Sequence, residues 1–258
     1  MSLSVAELGG PVRALFSDLD GTLTTDGRIE AETYGALEEL DALGIPVIIV
    51  TGRPAGWGQA LAQLTAASAV VTENGGVTFV REGNGWSRLY GVPAASLPEW
   101  RRKMRAAAVD AMTDIGGARL SSDSKYREVD LAIDWNEECS LAPQDAEHIV
   151  SMLRERGFTA VRSSVHVNFG PPKFDKFSAC KEVVEMVLGG SASELGDYVY
   201  VGDALNDAPM FGGFEKSVGV GNVRQWWDQL PAKPKFVTES DEGHGFRELV
   251  ARIKQLAG

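Results

Sequence analysis

The sequence predicts an α/β fold with a second, smaller α+β unit inserted into it, and three observations carry that expectation. Short, solidly apolar runs alternate with amphipathic stretches of helical period, the pattern of strands covered by helices on both faces. The solid runs fall in two blocks, residues 1–84 and 170–258. In the block between them, residues 85–169, apolar and polar residues alternate along the strands, which is the pattern of a sheet with one buried and one wet face.

The first block opens with the apolar run Val12 to Leu19, which enters Asp20-Gly21-Thr22. Tyr34, Leu37, Leu40 and Leu43 recur at helical spacing before Gly44, a helix with a glycine stop. A second run, Ile45 to Val50, leads into Thr51-Gly52-Arg53, and Trp57, Leu61 and Leu64 mark the next helix. Ala69 to Thr72 and Val77 to Val80 flank Glu73-Asn74-Gly75-Gly76, whose Asn-Gly step favours a tight turn between strands. In the middle block Val129, Leu131 and Ile133 alternate with acidic residues, and Val165, Val167 and Phe169 alternate with His166 and Asn168. Helices are expected there over about Leu97 to Met112 and Ala142 to Gly157. Solid runs return with Tyr198 to Val201, Ser217 to Val220 and the short Lys235 to Thr238, and a last helix is expected near Phe246 to Leu256. Gly83 to Gly85 and Gly170 to Pro172 read as the two hinges between the units.

Composition excludes several classes of function. The formal net charge of −11 repels nucleic acid and anionic lipid, so neither is an expected partner. No apolar run approaches the roughly 18–20 residues of a membrane span, and Met1 to Pro11 lacks the basic start and apolar stretch of a signal peptide. The expected location is cytoplasmic. Three histidines and two cysteines, Cys139 and Cys180, without a paired motif leave no basis for a zinc site.

Four polar groups stand at the ends of apolar strands: Asp18-Leu19-Asp20, Thr51-Gly52-Arg53, Lys176, and Asp203 to Asp207. Ligand sites of open parallel sheets lie outside those strand ends. Several carboxylates gathered there repel one another unless a divalent cation binds, and oxygen donors without histidine favour magnesium. Taken singly, each group also has a plainer reading. Asp18 and Asp20 fit a solvated acidic turn; an EF-hand is excluded because Ile29, not Glu, stands twelfth from Asp18. Thr51 fits a helix cap, or with Gly52 and Arg53 an anion cradle. Lys176 opens an amphipathic helix, with Lys173 and Lys181 as equal competitors by spacing. Asn206 and Asp207 fit helix caps, which does not explain Asp203.

In this order, the four groups resemble the motifs of the haloacid dehalogenase (HAD) superfamily, and the turn Glu73 to Gly76 resembles its Cof-type subfamily with a class IIB cap. That subfamily is similar to sucrose-phosphate, trehalose-6-phosphate and mannosyl-3-phosphoglycerate phosphatases. Phe177 and Ala204 stand where the family often has glycine. The resemblance implies a Rossmann-like parallel-sheet core with an inserted α+β cap. It also implies a magnesium-dependent phosphomonoester hydrolase acting through an aspartyl phosphate on a small phosphorylated metabolite, with a sugar phosphate favoured. On that pattern Asp18 is the nucleophile and Asp20 the general acid and base. Thr51, with Gly52 and Arg53, binds the phosphoryl group, and Lys176 neutralises it. Mg2+ is held by Asp18, the carbonyl of Asp20, Asp203 and Asp207, and Asn206 contacts phosphate or the ligands behind it. In the cap, Lys125 and Arg127 beside Tyr126 are the expected substrate contacts. Arg119, Ser121, Ser122, His166 and Asn168 are further candidates, and Glu73 and Asn74 are placed at the border of the pocket. The alternatives are a phosphomannomutase-like phosphomutase, which needs a second cationic phosphate site in the cap, and a non-catalytic phosphate-binding protein. The latter predicts loss of Asp18, Asp20, Thr51 or Asp203, and all four are present. A monomer or homodimer is expected.

Overall fold

The computed structural model describes residues 2–258 apart from 164 and 173. The strands and helices follow in order as β1 (Leu3–Ser4), β2 (Ala14–Ser17), α1 (Ala31–Ala42), β3 (Val47–Val50), α2 (Ala55–Leu64), β4 (Ala69–Thr72), β5 (Val77–Glu82) and β6 (Gly85–Tyr90). Then come α3 (Leu97–Asp114), β7 (Arg119–Leu120), β8 (Leu131–Asp134), α4 (Pro143–Glu155), β9 (Thr159–Arg162) and β10 (His166–Gly170). The chain ends with α5 (Lys176–Met186), β11 (Tyr198–Gly202), α6 (Ala208–Gly213), β12 (Lys216–Gly219), β13 (Phe236–Val237) and α7 (Glu242–Ala257).

Nine strands form one sheet in the order β1-β13-β12-β11-β2-β3-β4-β5-β6. Pairing is parallel from β1 to β4 and antiparallel at β4–β5 and β5–β6. The apolar runs are solid because both faces are covered. Leu15, Val47, Ile49 and Val201 pack with residues of α1, α2 and α7, while Phe16, Ile48, Val50 and Tyr200 pack with residues of α5 and α6. β2 lies between β11 and β3, so the chain order reverses there. This is the switch point at which an open sheet leaves a crevice beyond its strand ends. No helix among the described residues is long and apolar enough to cross a membrane.

The second sheet, β7-β8-β10-β9, is antiparallel throughout. Its apolar face joins α3 and α4 in a cluster built on Met104, Ile133, Ile149, Leu153, Val167 and Phe169.

Three expectations need correction. The break expected at residue 85 falls inside a hairpin of the large sheet, where Glu82 pairs with Gly85. Gly83 at φ 56 makes a two-residue turn, so the glycines expected as a hinge reverse a strand. His166 and Asn168, placed on a wet face by alternation, are buried, because the polar face of β10 is turned to the crevice of the large sheet. Helix α2 does not pack through Trp57 and Leu64, which are exposed. It packs through Ala55, Gly58 and Ala62, small residues that allow close approach to the sheet.

A Cβ on Gly58 would lie 2.3 Å from Thr72 Cγ2 and 2.9 Å from a ring carbon of Phe79. Gly58→Ala is therefore expected to destabilise the fold by about 1–3 kcal/mol despite its better helix propensity; denaturant unfolding reads the sign directly.

Candidate active site

The switch point brings together side chains that are far apart in sequence. β2 delivers Asp18 and β11 delivers Asp203, and both carboxylates are buried. Asp207 follows in a short 3-10 turn, Leu205–Asp207, and is fully buried. One oxygen from each of Asp18, Asp203 and Asp207 lies within 4.8 Å of the others. The balancing cation is Lys176, at the first turn of α5, whose Nζ donates to Asp18 Oδ1 at 2.5 Å and to Asp207 Oδ1 at 3.2 Å. The local sequence explains its placement. Asp175 caps α5 by accepting from the Ser178 amide, and Phe177 packs edge-on against Phe214, so the two faces of the helix start are fixed and Lys176 points inward. Lys181 lies over the Phe177 ring instead, and Lys173 lies outside the described residues.

The carboxylates outnumber the lysine, and their proton affinities reflect it. Burial, opposed by Lys176 and reinforced by Asp207, pushes Asp18 up to about 8. Burial together with Asp207 and Asp18 raises Asp203 well above the usual carboxylate range. Burial depresses the Lys176 ammonium, but Asp18 and Asp207 outweigh it and leave it raised. A cluster of hard oxygen donors with excess negative charge fits a hard divalent cation. The oxygens of Asp207 are already engaged: Oδ1 accepts from Tyr200 Oη at 2.7 Å and from Lys176, and Oδ2 from the amides of Asp203 and Ala204 at 3.0 and 3.1 Å.

Over this cluster opens a cleft of about 290 Å³, lined by Asp18, Asp20, Thr51, Gly52, Arg53, Asn74, Asp203 and Asn206 from the large sheet and by Val161, Ser163, Val165, His166 and Asn168 from the small one. Thr51 is buried and its Oγ1 accepts from the Arg53 amide at 3.0 Å. Arg53 is not free. Its guanidinium holds the Asp20 carboxylate through Nε and Nη2, each at 3.0 Å, and reaches Glu137 Oε1 at 3.2 Å. It also stacks on Trp57.

The structure does not bring Lys125 and Arg127 to the cleft. Lys125 is exposed and lies over the Tyr126 ring. Arg127 is buried in ion pairs with Asp123 and Asp130, at 3.2 and 2.8 Å, and donates to the Gly52 carbonyl at 3.0 Å. A basic tripeptide reads as solvent-facing, but two carboxylates three and four residues away draw the guanidinium inward. Arg119 pairs with Asp134, and Ser121 bonds Asp123. Three contributors were missed. Asn222 donates to Asp203 Oδ2 and to the Gly21 carbonyl, each at 3.1 Å; its signal was another apolar run ending in Gly-Asn. Tyr200 fixes Asp207 from inside β11. Glu137 reaches Arg53 from the loop after β8, which no local pattern announces.

A family model described as haloacid dehalogenase-like hydrolase matches residues 15–88. The chain is 28% identical over 239 residues to the phosphoglycolate phosphatase of Halobacterium salinarum strain R1, covering 92% of this chain and 95% of that protein. It is 29% identical over 239 residues to the phosphoglycolate phosphatase of Haloarcula marismortui, with the same coverage of 92% and 95%. Among solved structures, Thermoplasma acidophilum protein 0175 superposes with a TM-score of 0.76 at 20% identity, covering 95% of this chain and 99% of that one. The sucrose-phosphatase of Synechocystis sp. PCC6803, solved with sucrose and phosphate, gives a TM-score of 0.68 at 21% identity, covering 94% and 98%.

The proton affinities fix a sign. Asp18 titrates near 3.8 when unfolded and near 8 when folded. Between those values the folded state binds more protons, so stability without metal falls as pH rises through that window. A divalent cation bound by these oxygens would take the place of the proton. The gain in Tm on adding magnesium chloride is therefore expected to grow from about pH 5 to about pH 8, and a gain that does not vary with pH would contradict a shared cation.

Proposed function

We propose that the chain, which belongs to the haloacid dehalogenase-like hydrolases and is a phosphatase, releases inorganic phosphate from a small phosphorylated metabolite with Mg2+ and through an aspartyl phosphate on Asp18. The observation that carries this reading is the juxtaposition of Asp18, Asp203 and Lys176 beneath a cleft that Thr51 and Asp20 also line.

Asp18, Asp203 and the backbone carbonyl of Asp20 would hold the ion, with Asp207 beside them fixing Lys176 and the 203–204 turn. When bound, Mg2+ neutralises the facing anions of nucleophile and phosphoryl group. An Asp18 oxygen attacks phosphorus and the bond to the leaving oxygen breaks. Asp20 gives that oxygen a proton, then takes one from the water that attacks phosphorus and breaks the bond to Asp18. Thr51 hydrogen-bonds the phosphoryl oxygens, with Gly52 and Asn206 beside it, and Lys176 balances their charge. Arg53 orients Asp20 through its two bonds to that carboxylate. The four-stranded unit acts as the cap, excluding water and meeting the leaving group.

The favoured leaving group is a sugar or another polyol. Ser163, Asn168, Asn206 and Gln225 offer neutral hydrogen-bonding groups along the cleft, and Arg53 is already paired with two carboxylates. Phosphoglycolate is the second reading, favoured by the names of the archaeal relatives. A phosphomutase has less support, because among the described residues no Lys or Arg of the cap lines the cleft.

A screen of phosphorylated metabolites with Mg2+ tests the reading. Asp18→Asn is expected to lower phosphate release at least about a thousandfold, and equal release by both proteins would remove Asp18 as nucleophile. Asp20→Asn should slow sugar phosphates by about 10²–10⁴-fold. It should slow p-nitrophenyl phosphate much less, since that leaving group needs no proton; an equal loss on both would deny Asp20 its role as acid.

A further inference from the structure

Glu73 is a carboxylate with no exposure to solvent that does not line the cleft, and it carries more backbone hydrogen bonds than any side chain that does. Oε1 accepts from the amides of Ala55 at 2.9 Å and Glu128 at 2.8 Å, and Oε2 from those of Val129 at 2.6 Å and Asp130 at 2.9 Å. Ala55 starts α2 in the large-sheet unit, whereas 128–130 lead into β8 of the cap. One side chain therefore ties the two units together.

The backbone of the same turn ties the phosphoryl loop. Glu73 and Asn74 hold left-handed φ values of 52 and 54, a region asparagine tolerates but glutamate adopts uncommonly. In that conformation their amides donate to the carbonyls of Arg53 and Thr51, at 3.0 and 3.2 Å. Arg127 completes the joint from the cap side: its Nη1 donates to the Gly52 carbonyl while its charge faces Asp130. The three carbonyls of Thr51, Gly52 and Arg53 are thus all held by this joint. β8 in turn pairs with β10, which places His166 and Asn168 over the cleft.

We infer that Glu73 is a positioning residue: with Arg127 it locks the Thr51–Arg53 loop to the cap strut 128–130, so that the phosphoryl-binding loop and the roof over the leaving group keep one register. The inference rests on the function proposed above and adds to it a residue that touches neither substrate nor metal. A side chain that merely filled space would not need four amide donors from two separate units converging on one carboxylate.

The test uses Glu73→Gln, which puts an amide NH2 against two N–H donors, and Arg127→Lys, which keeps the charge but neither the fork on Asp123 nor the guanidinium Nη1 that donates to Gly52. For each variant, kcat and KM on p-nitrophenyl phosphate and on a sugar phosphate are measured beside Tm, with hydrogen exchange followed in peptides spanning 51–53 and 128–130. Both segments should exchange about tenfold faster or more. kcat should fall about ten- to a hundredfold, the scale of a small misplacement of a positioned group, with KM for p-nitrophenyl phosphate within about threefold. The double variant should lose little more than the worse single one, since both act through one joint. Faster exchange at 128–130 with 51–53 unchanged, kcat unchanged per folded molecule, or losses that multiply would each overturn the inference. Where Glu73→Gln does not fold, Arg127→Lys is read by the same criteria. A wild-type chain that releases no phosphate would sink the proposed function alone, because the exchange measurement still decides whether Glu73 joins the two segments.

Discussion

Asp18 and Asp203 end neighbouring strands, and the repulsion between their buried carboxylates governs what surrounds them. Desolvation and mutual repulsion both favour the neutral acids, while one ammonium group opposes them. The arrangement stays together because Asp207 has its own set of donors, because Lys176 is wedged between two of the carboxylates, and because Asn222 and Thr22 bond to Asp203. Removing water from such a cluster makes every remaining charge count for more, which suits a reaction between two anions.

The topology supplies that cluster without long-range tuning. A parallel sheet sets all its carboxyl ends on one edge, and the reversal of strand order at β2 leaves a gap above them. Two solid apolar strands side by side are enough to bring the carboxylates of Asp18 and Asp203, far apart in the chain, within 4.8 Å of each other. The inserted four-stranded unit then closes the gap with the polar face of β10. Its apolar face is already committed to α3 and α4, so the polar face is the one left to meet the crevice.

How much of this is legible in the sequence depends on whether a residue's environment is local. Asp18, Thr51 and Asp203 can be read because each follows a solid apolar strand, and strand ends have a fixed meaning in this fold class. Lys176 could not be separated from Lys173 and Lys181 by spacing; the contact of Phe177 with Phe214 orients it, and that pair is distant in sequence. Arg127 reads as solvent-facing from its basic tripeptide, whereas the fold turns it inward onto Asp123 and Asp130. At Gly83 the sequence does not separate a hinge from a strand reversal, because the same glycine chemistry serves both. The burial of His166 and Asn168 comes from a second unit docking on the sheet, which strand periodicity does not encode. The contacts of Glu73 with residues 128–130 have the same origin.

A crystal structure grown with Mn2+ as an anomalously scattering substitute for magnesium bears most directly on the central interaction. A single anomalous peak in contact with the carboxylates of residues 18 and 203, with the lysine at 176 still touching the former, is the predicted result. Carboxyl groups turned to separate places, with no ion between them, would contradict the account.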